Sequence, residues 1–408
     1  MTGDGNLLTR RYQMTNAFPF RRMIAGFLVL CGCLWLCCIS ARGEAPEDSM
    51  LLVDDAVDSQ SRVEDLIDFM PLHEKVCQLF FIAPEQFSKT ERVNKADKTF
   101  FRAFRRFPVG GIILFAPNII KKDITGLNAG MQEAALGANG IGLFIGADEE
   151  GGGVSRVANK LKLKEKQPSP SQIKTAEEAY ESGRIIGEYL AKFGFSVDFA
   201  PVADIRSDIP GAEISLRSYG RDAADVSEKV SRFTEGLHEN SVIPVLKHFP
   251  GHGAVAGNTH AGAGISERTA EEWRSAEFLP FDAGIRAGAE MILVSHQTAV
   301  NVDPENPASL SPVIIGMLRE ELGFEGVIIT DALRMDAINN QYGSGEACVR
   351  ALEAGADMLL LPYNFTNAYE AVTQAIGDGR LTEKRIDESL SRILTLKEKY
   401  GLLPPIRK

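Results

Sequence analysis

Eight short apolar segments recur along the chain, and longer amphipathic stretches separate them. Each segment is four or five residues long, as expected for parallel strands that are covered on both faces. Strands that alternate with helices in this way predict a closed (β/α)8 TIM barrel, an α/β fold. The predicted strands are Leu79–Ala83, Gly111–Phe115, Leu143–Ala147, Ser196–Ala200, Ile243–Leu246, Met291–Ser295, Gly326–Thr330 and Met358–Leu361.

Helix starts lie between these segments where a capping residue precedes an amphipathic stretch. Thr175 and Thr269 are each followed three residues later by glutamate, as in a capping box, and Ser311 precedes a proline. Thr382 predicts the start of a last helix that runs to about Tyr400. The alternative fold is an open doubly wound sheet, but residues 83–86 lack the glycine fingerprint that usually follows its first strand.

The N-terminal 43 residues have the pattern of an export signal. Arginines at 10, 11, 21 and 22 precede an apolar run over residues 23–40, and small residues at Ala41 and Gly43 follow. Cleavage after Gly43 is the first prediction. An uncleaved anchor and lipidation at Cys33 remain open, because the run is nearly long enough to span a bilayer. We therefore expect an exported protein, periplasmic or at the cell surface, with attachment to the membrane through the N-terminus as the open alternative.

The domain organisation follows from composition. Residues 1–43 are the predicted signal peptide or anchor, 44–65 an acidic linker, 66–402 a single barrel domain and 403–408 a C-terminal tail. Only Cys77 and Cys348 lie beyond the leader, so a disulfide framework is not expected. The net charge of −11 and pI near 5.2 disfavour a nucleic-acid partner and are compatible with a neutral or amphoteric small substrate.

Polar residues gather where the predicted strands end, which is where a barrel of this kind carries its chemistry. Residues 148–150 are acidic and follow the third strand, and Arg217 lies on the long loop after the fourth. Lys247 and His248 close the fifth strand and are suited to donating hydrogen bonds to sugar hydroxyls.

Asp331 directly follows the seventh strand, so the strand directs it to the barrel mouth. A carboxylate there could attack an anomeric carbon, and the alternative is an N-cap for the next helix. The three histidines at 248, 252 and 260 do not match compact zinc-ligand spacings, so we predict no metal and no organic cofactor. His260 is instead suited to act as a proton donor, because imidazole titrates near neutrality.

Several stretches closely resemble the signatures of glycoside hydrolase family 3. They occur in family order and span roughly residues 70–402. The stretches are Asp198–Val202, Arg217–Gly220, Lys247–Gly253, Pro307–Pro312 and Ile328–Met335.

Within that family the chain looks like the β-N-acetylglucosaminidase branch. The resemblance implies that Asp331 is the nucleophile and His260 the acid/base, with Asn258 orienting it. It also implies that the terminal sugar is bound by Asp148, Arg217, Lys247 and His248. Because the sequence ends soon after the final predicted helix, we expect no second domain to supply a glutamate acid/base, as it does in many β-glucosidases of the family.

Two positions depart from the family pattern. Asn258 stands where the branch usually has aspartate, and a neutral amide favours the imidazolium of His260 less than a carboxylate does. We therefore expect a weaker general acid than in typical relatives. Gly153 stands where relatives usually have arginine, which puts the local geometry after the third strand in doubt.

The expected reaction is retaining, exo-acting release of terminal β-linked N-acetylglucosamine from peptidoglycan fragments or chitin-like oligosaccharides, through a covalent glycosyl-enzyme. Three alternatives stay open at this stage: a β-glucosidase or β-xylosidase of the same family, a catalytically weak sugar-binding lipoprotein, and transfer to phosphate in place of water. The sequence predicts neither the oligomeric state nor the natural aglycone.

Overall fold

The computed structural model describes residues 61–88, 90–207, 214–253, 255 and 264–404. Its centre is a parallel sheet of eight strands in chain order, which confirms the predicted (β/α)8 barrel. The strands are β1 Phe80–Ile82, β2 Gly111–Ile113, β3 Phe144–Ala147, β4 Val197–Asp198, β5 Ile243–Phe249, β6 Met291–Val294, β7 Val327–Thr330 and β8 Leu359–Leu360. Every residue of these strands is buried, as continuous apolar runs require in a sheet covered on both faces.

Helices surround the strands. The α-helices are α1 Leu72–Gln78, α2 Glu85–Ser88, α3 Lys98–Arg106, α4 Ile124–Asn139, α5 Arg156–Leu161, α6 Ala176–Lys192, α7 Ala223–His238, α8 Ala270–Glu272, α9 Phe278–Arg286, α10 Pro312–Gly316, α11 Asp336–Ala354, α12 Phe365–Gly377 and α13 Glu383–Lys399. Trp273–Glu277 and Met317–Glu321 are π-helical continuations of α8 and α10, and Pro170–Gln172 and Ala308–Leu310 are 3-10 turns. No helix in the described ranges is long and apolar enough to cross a membrane.

The predicted helix starts are found at all four capping residues. The Thr269 hydroxyl accepts the N–H of Glu272, whose carboxylate accepts the N–H of Thr269, and this completes a capping box. At Thr175 the hydroxyl caps α6, but the glutamate three residues on binds the N–H of Lys174 instead. Ser311 and Thr382 cap α10 and α13.

Two boundaries differ from the sequence prediction. Residues 61–69 are helical, so the predicted linker over 44–65 is too long at its C-terminal end. Val63 and Ile67 are buried in the core, and Arg62 pairs with Glu398. Leu403 is buried as well, so the tail begins later than predicted. The predicted signal or anchor segment lies outside the described residues.

Two phenylalanines fill the barrel interior opposite two glycines. The rings of Phe81 and Phe199 meet edge to face, with centroids 5.3 Å apart. A Cβ on Gly111 would lie 2.4 Å from the Phe81 ring, and a Cβ on Gly146 would lie 2.8 Å from the Phe199 ring. Glycine at both positions is therefore what allows the large side chains to pack beneath the mouth.

Asp357 closes the barrel between β7 and β8. Its N–H donates to the Ile328 carbonyl at 2.8 Å, and its carboxylate accepts the N–H of Ile328 at 2.9 Å. The same fully buried carboxylate pairs with Arg319 and Arg392 and accepts the Ser389 hydroxyl. One side chain thus joins the last two strands to α13.

Replacing Asp357 by alanine should lower the free energy of unfolding by about 3–5 kcal/mol, because it leaves two half-buried guanidinium groups and the Ile328 N–H without their partner. Denaturant unfolding of the purified protein measures this. Asp378→Ala, which removes an exposed carboxylate, is the matched control and should change stability by less than about 0.5 kcal/mol. Equal losses for the two variants would contradict the closing role of Asp357.

Candidate active site

A cavity of about 380 Å³ opens at the C-terminal ends of the barrel strands. Five residues singled out from the sequence line it together, although they are spread over 184 positions of the chain: Asp148, Arg217, Lys247, His248 and Asp331. Strand ends meet at one face of a barrel, so residues far apart in sequence converge there. The apolar part of the wall comes from Phe115, Phe199, Leu293, Met335, Leu360 and others.

Glu150 is the centre of a buried ion-pair network in this cavity. It accepts Nε and Nη2 of Arg217 at 2.8 and 2.7 Å, a two-point pairing, and it lies 2.7 Å from the Lys247 ammonium. The same ammonium donates to Asp148 at 2.9 Å. The network therefore links the loop after β3, the loop after β4 and the end of β5.

The charges in this network determine each other's protonation. Burial alone would raise the pKa of Glu150, but the adjacent Lys247 and Arg217 outweigh it and hold that pKa at about 2. Burial alone would lower the pKa of Lys247, whereas Asp148 and Glu150 raise it. Glu150, Lys247 and Arg217 are therefore charged at neutral pH.

The hairpin after β3 explains why Glu150 and its neighbour Glu149 have different roles. Residues Glu149–Gly151 pair with Val154–Ser155, and side chains alternate along an extended segment. Asp148 and Glu150 thus face the cavity, whereas Glu149 accepts the N–H groups of Val157 and Ala158 at the start of α5. Burial is the largest influence on Glu149 and raises its pKa to about 7, although these hydrogen bonds act to lower it.

Gly153, the residue that departs from the family pattern, lies at the tip of this hairpin. A Cβ built there meets nothing within 4 Å, whereas a Cβ on Gly152 would lie 1.8 Å from the Ser169 hydroxyl. The hairpin forms without an arginine at 153, and Asn159 donates to the Gly153 carbonyl at 3.3 Å. The geometry near Asp148 and Glu150 is therefore held by other contacts.

A shift of register in β5 brings two consecutive residues to the mouth. The pairing of β5 with β6 is irregular between Leu246 and Phe249. In a regular strand Lys247 and His248 would face opposite sides, and an irregularity of this kind redirects a side chain. Both residues line the cavity as a result.

His248 is held between Asp204 and Arg217. Its Nδ1 lies 2.7 Å from Asp204 Oδ2, and its Nε2 lies 3.2 Å from Nη2 of Arg217. Because a guanidinium only donates, Nε2 accepts from Arg217 and Nδ1 carries the proton that is given to Asp204. Both ring nitrogens are thus engaged. In this arrangement His248 orients Arg217, and its predicted contact with a sugar stays a prediction.

Asp331 lies at the end of β7 and is not a helix cap. The next helix, α11, begins five residues later after Met335. The Asp331 N–H donates to the Val294 carbonyl at 2.8 Å, and its Oδ1 accepts the N–H of Ala332 at 2.7 Å. The N-cap alternative from the sequence is therefore wrong.

Asp331 is half-buried in the cavity and is ionised there. Burial, the largest influence, raises its pKa, but His296, His248 and the N–H of Ala332 together lower it below the usual value. His296 is itself fixed, with Nδ1 2.7 Å from the Ser309 hydroxyl and Nε2 3.1 Å from the Ala332 carbonyl. A carboxylate that stays ionised in a cavity is chemically suited to nucleophilic attack.

The two remaining site predictions, His260 and Asn258, lie outside the described residues. They fall in the segment 256–263 that follows β5, and their roles stay predictions. Among the residues that the structure does describe, no group of three or more His, Cys, Asp or Glu side chains is placed to hold a metal ion.

Several residues that form the site were given no individual role from the sequence. They are Glu150 and Asp204, which hold the basic side chains, His296 beside Asp331, and the arginines at 156 and 334 that line the cavity. The alternation of Asp148 and Glu150 was a usable signal for Glu150. For Asp204 the partner lies 44 residues away, and no local pattern shows it.

Known proteins resemble this chain over most of the barrel domain. The model of the family described as glycosyl hydrolase family 3 N terminal domain matches residues 71–396. The chain is 30% identical over 304 residues to beta-hexosaminidase LpqI of Mycobacterium tuberculosis, a match that covers 71% of this chain and 76% of that protein.

Solved structures give the same picture. A glycoside hydrolase family 3 beta-N-acetylglucosaminidase from Paenibacillus sp. str. FPU-7 is similar with a TM-score of 0.74 and 33% identity, over 82% of this chain and 63% of that one. M tuberculosis LpqI is similar with a TM-score of 0.71 and 28% identity, over 81% of this chain and 94% of that one. The chain thus spans less than two thirds of the Paenibacillus protein.

Replacing Glu150 by glutamine should destabilise the protein by about 3 kcal/mol at pH 7, since Lys247 and Arg217 then lose a buried counter-charge. The folded pKa of Glu150 is depressed to about 2, so its contribution is present above its ordinary value of 4.5. That contribution is lost as the pH falls from 4.5 towards 2. Urea unfolding of both proteins at pH 7 and pH 3 tests this.

The stability gap between wild type and Glu150→Gln should be smaller at pH 3 than at pH 7. Glu165→Gln, which alters an exposed glutamate, is the control and should show no measurable gap at either pH. A gap that does not change with pH would contradict the ionised state of Glu150.

Proposed function

Because the chain belongs to glycoside hydrolase family 3, we propose that this glycoside hydrolase is a retaining exo-β-N-acetylhexosaminidase with Asp331 as its nucleophile. The observation that carries the proposal is the half-buried, ionised Asp331 carboxylate at the end of β7, in a cavity that also presents Arg217 and Lys247. The hexosaminidase and acetylglucosaminidase names of the similar proteins support the choice of sugar.

The reaction would proceed in two displacements. An Asp331 carboxylate oxygen bonds to the anomeric carbon while the bond to the leaving oxygen breaks, and that oxygen takes a proton from His260. Water then gives a proton to His260 and attacks the anomeric carbon, which releases the sugar and restores the Asp331 carboxylate. Retention follows because the two displacements each invert the same carbon.

The polar wall of the cavity supports recognition of one terminal sugar. The Asp148 carboxylate accepts hydrogen bonds, and Lys247 and Arg217 donate them, so together they suit vicinal hydroxyl groups. A cavity of about 380 Å³ suits a single sugar unit at the end of a chain, which favours exo action over cleavage inside a polymer.

The proposal includes where the enzyme acts, which is outside the cytoplasm. The basic, apolar and small-residue pattern over residues 1–43 supports export, so we propose a substrate found outside the cytoplasm. Peptidoglycan fragments and chitin-like oligosaccharides, which both carry β-linked N-acetylglucosamine, are the substrates that we propose. Mass spectrometry of the mature N-terminus would distinguish cleavage after Gly43 from lipidation at Cys33 or retention of the leader.

The Asp331→Asn variant should lose at least about 10³-fold in kcat for an aryl β-N-acetylglucosaminide, because the amide cannot form the glycosyl-enzyme. Nitrophenol release measures this, with Asp336→Asn, an exposed position at the start of α11, as the control of unchanged activity. Binding of N-acetylglucosamine by the unaltered protein without turnover, with or without phosphate, would contradict the enzymatic proposal. Faster turnover of aryl glucosides or xylosides would contradict the choice of sugar.

The His260→Ala variant should lose about 10²- to 10⁴-fold, the usual contribution of a general acid/base. Asn258→Asp tests its neighbour: a carboxylate beside His260 stabilises the imidazolium, so its pKa rises. The basic limb of the kcat/KM profile should then move to higher pH and the rate should increase. A profile identical to that of wild type would show that residue 258 does not act on His260.

A further inference from the structure

The outer side of α3 and the loop before it are strongly basic, although the chain as a whole is acidic. Residues 91–106 contain six basic and two acidic residues, a net charge of +4, whereas the whole chain carries −11. Positive charge that is concentrated on one segment of an acidic protein indicates a contact with an anionic partner. The six basic residues, all of them exposed, are Arg92, Lys95, Lys98, Arg102, Arg105 and Arg106.

The helical geometry places the charges of α3 on one side of the helix. Lys98, Arg102 and Arg105 have the i, i+4, i+7 spacing that forms a stripe along a helix. Phe100 and Phe104 lie on the opposite side, where they are buried and stack on each other with ring centroids 5.9 Å apart. The apolar side therefore fixes α3 to the barrel and leaves the basic side in contact with solvent.

The six cations have no acidic partner in the part of the chain that the structure describes. Arg92 donates to a backbone carbonyl and Arg106 lies over an aromatic ring, contacts that leave both charges unneutralised. Asp97, the acidic residue between them, is engaged as the cap of α3, where it accepts two backbone N–H groups. Exposed arginines on other helices are paired, as Arg350 is with Glu346 at 2.8 Å. The charge of α3 is thus available to a partner.

A groove of about 620 Å³ runs beside the basic stripe, and we call it the basic groove. Its apolar part is half-buried, and its cations are exposed around that part. The surface therefore offers positive charge and apolar contact together. The lining residues are Ala96 and Phe101, which are apolar, Asp97, and the cations Lys95, Lys98, Arg102 and Arg105.

This combination of charge and apolar surface distinguishes between anionic partners. An anionic phospholipid presents a phosphate group to the cations and the first carbons of its chains to Phe101. An acidic polymer that is dissolved in water presents only the charge. The pattern over residues 1–43, which predicts export across a membrane, also favours a bilayer as the partner.

We propose that the basic groove is a docking surface for anionic phospholipid headgroups, which holds the barrel against a membrane surface. This inference goes beyond the proposed function, because the basic groove and the cavity around Asp331 share none of their described lining residues. The cations belong to the barrel domain, so the surface would act whether the leader is cleaved or retained. It would place the enzyme where glycans lie next to a membrane.

Lysine acetylation of the full chain maps the face that contacts a bilayer. The protein is mixed with vesicles of phosphatidylcholine alone or of equal parts phosphatidylcholine and phosphatidylglycerol, and mass spectrometry measures the acetylation rate of each lysine. Lys95 and Lys98 should react about 5-fold more slowly on the anionic vesicles, the effect of one basic residue at a charged membrane. Lys166 and Lys384, which are exposed elsewhere, should react equally in both mixtures. Raising the ionic strength should remove the difference.

Two triple variants with the same loss of charge show whether α3 is responsible. The first should lose the protection of Lys95, and the second, the matched control, should keep it. The leader is the same in both, so its own affinity for lipid cancels. Thermal unfolding reports that each variant is folded, because every substituted side chain is exposed. The first variant carries Lys98→Gln, Arg102→Gln and Arg105→Gln, and the second carries Lys164→Gln, Lys166→Gln and Lys384→Gln.

Four outcomes would overturn the docking surface. They are equal acetylation of Lys95 and Lys98 on the two kinds of vesicle, protection that survives in the α3 variant, loss of protection in the control variant, and equal protection of Lys166 and Lys384. Protection by soluble polyglutamate that equals protection by the anionic vesicles would overturn the choice of a lipid and assign the groove to an acidic polymer. None of these measurements depends on turnover, so the proposed function is tested separately.

Discussion

The pairing of Glu150 with both Lys247 and Arg217 is the constraint on which the rest of the site depends. Three charges are buried at the mouth of the barrel, and each would be costly there without the others. Because they come from β5 and from the loops after β3 and β4, their pairing fixes how these segments meet. Two local features make this pairing possible. The hairpin after β3 directs Glu150 into the cavity and Glu149 away from it, and the irregularity in β5 brings both Lys247 and His248 to the mouth.

This arrangement leaves Asp331 in a different electrostatic state from the other carboxylates of the cavity. Asp148 and Glu150 are tied to Lys247, whereas Asp331 has no lysine or arginine partner among the described residues. It is kept ionised by weaker influences, the nearby His296 and His248 and one backbone N–H. A carboxylate held by a strong ion pair loses nucleophilicity, so the separation of roles suits Asp331 to attack a sugar.

The sequence predicts the barrel well because eight short, mostly apolar strands alternate with amphipathic helices. Strand ends are predicted less well: β4 is only two residues long, and β5 extends to Phe249. The helix over 61–69 was missed because the acidic composition of the segment obscured the spacing of Val63 and Ile67. Composition averages over both faces of a helix, whereas burial depends on one.

In the site, residues carried by strand ends were predictable, and residues defined by their partners were not. Lys247 and Asp331 are found from position alone, but the role of His248 depends on Asp204 and Arg217, which the fold brings to its two ring nitrogens. Arg334 lies within a recognisable motif, yet its lack of a partner is a property of the assembled cavity. Pattern shows which side chains reach the mouth, and only packing shows which charges are already satisfied.

That distinction also separates structural from functional charge in this molecule. Asp357 is fully buried and has two arginine partners, so its interactions are complete in the free protein. Arg334 is exposed at the mouth, so leaving its guanidinium without a carboxylate partner costs little. An ion pair in that position would be screened by water, whereas one at the base of the cavity acts in a lower dielectric. An unpaired cation is therefore tolerated at the mouth, whereas the same charge at the base would destabilise the fold.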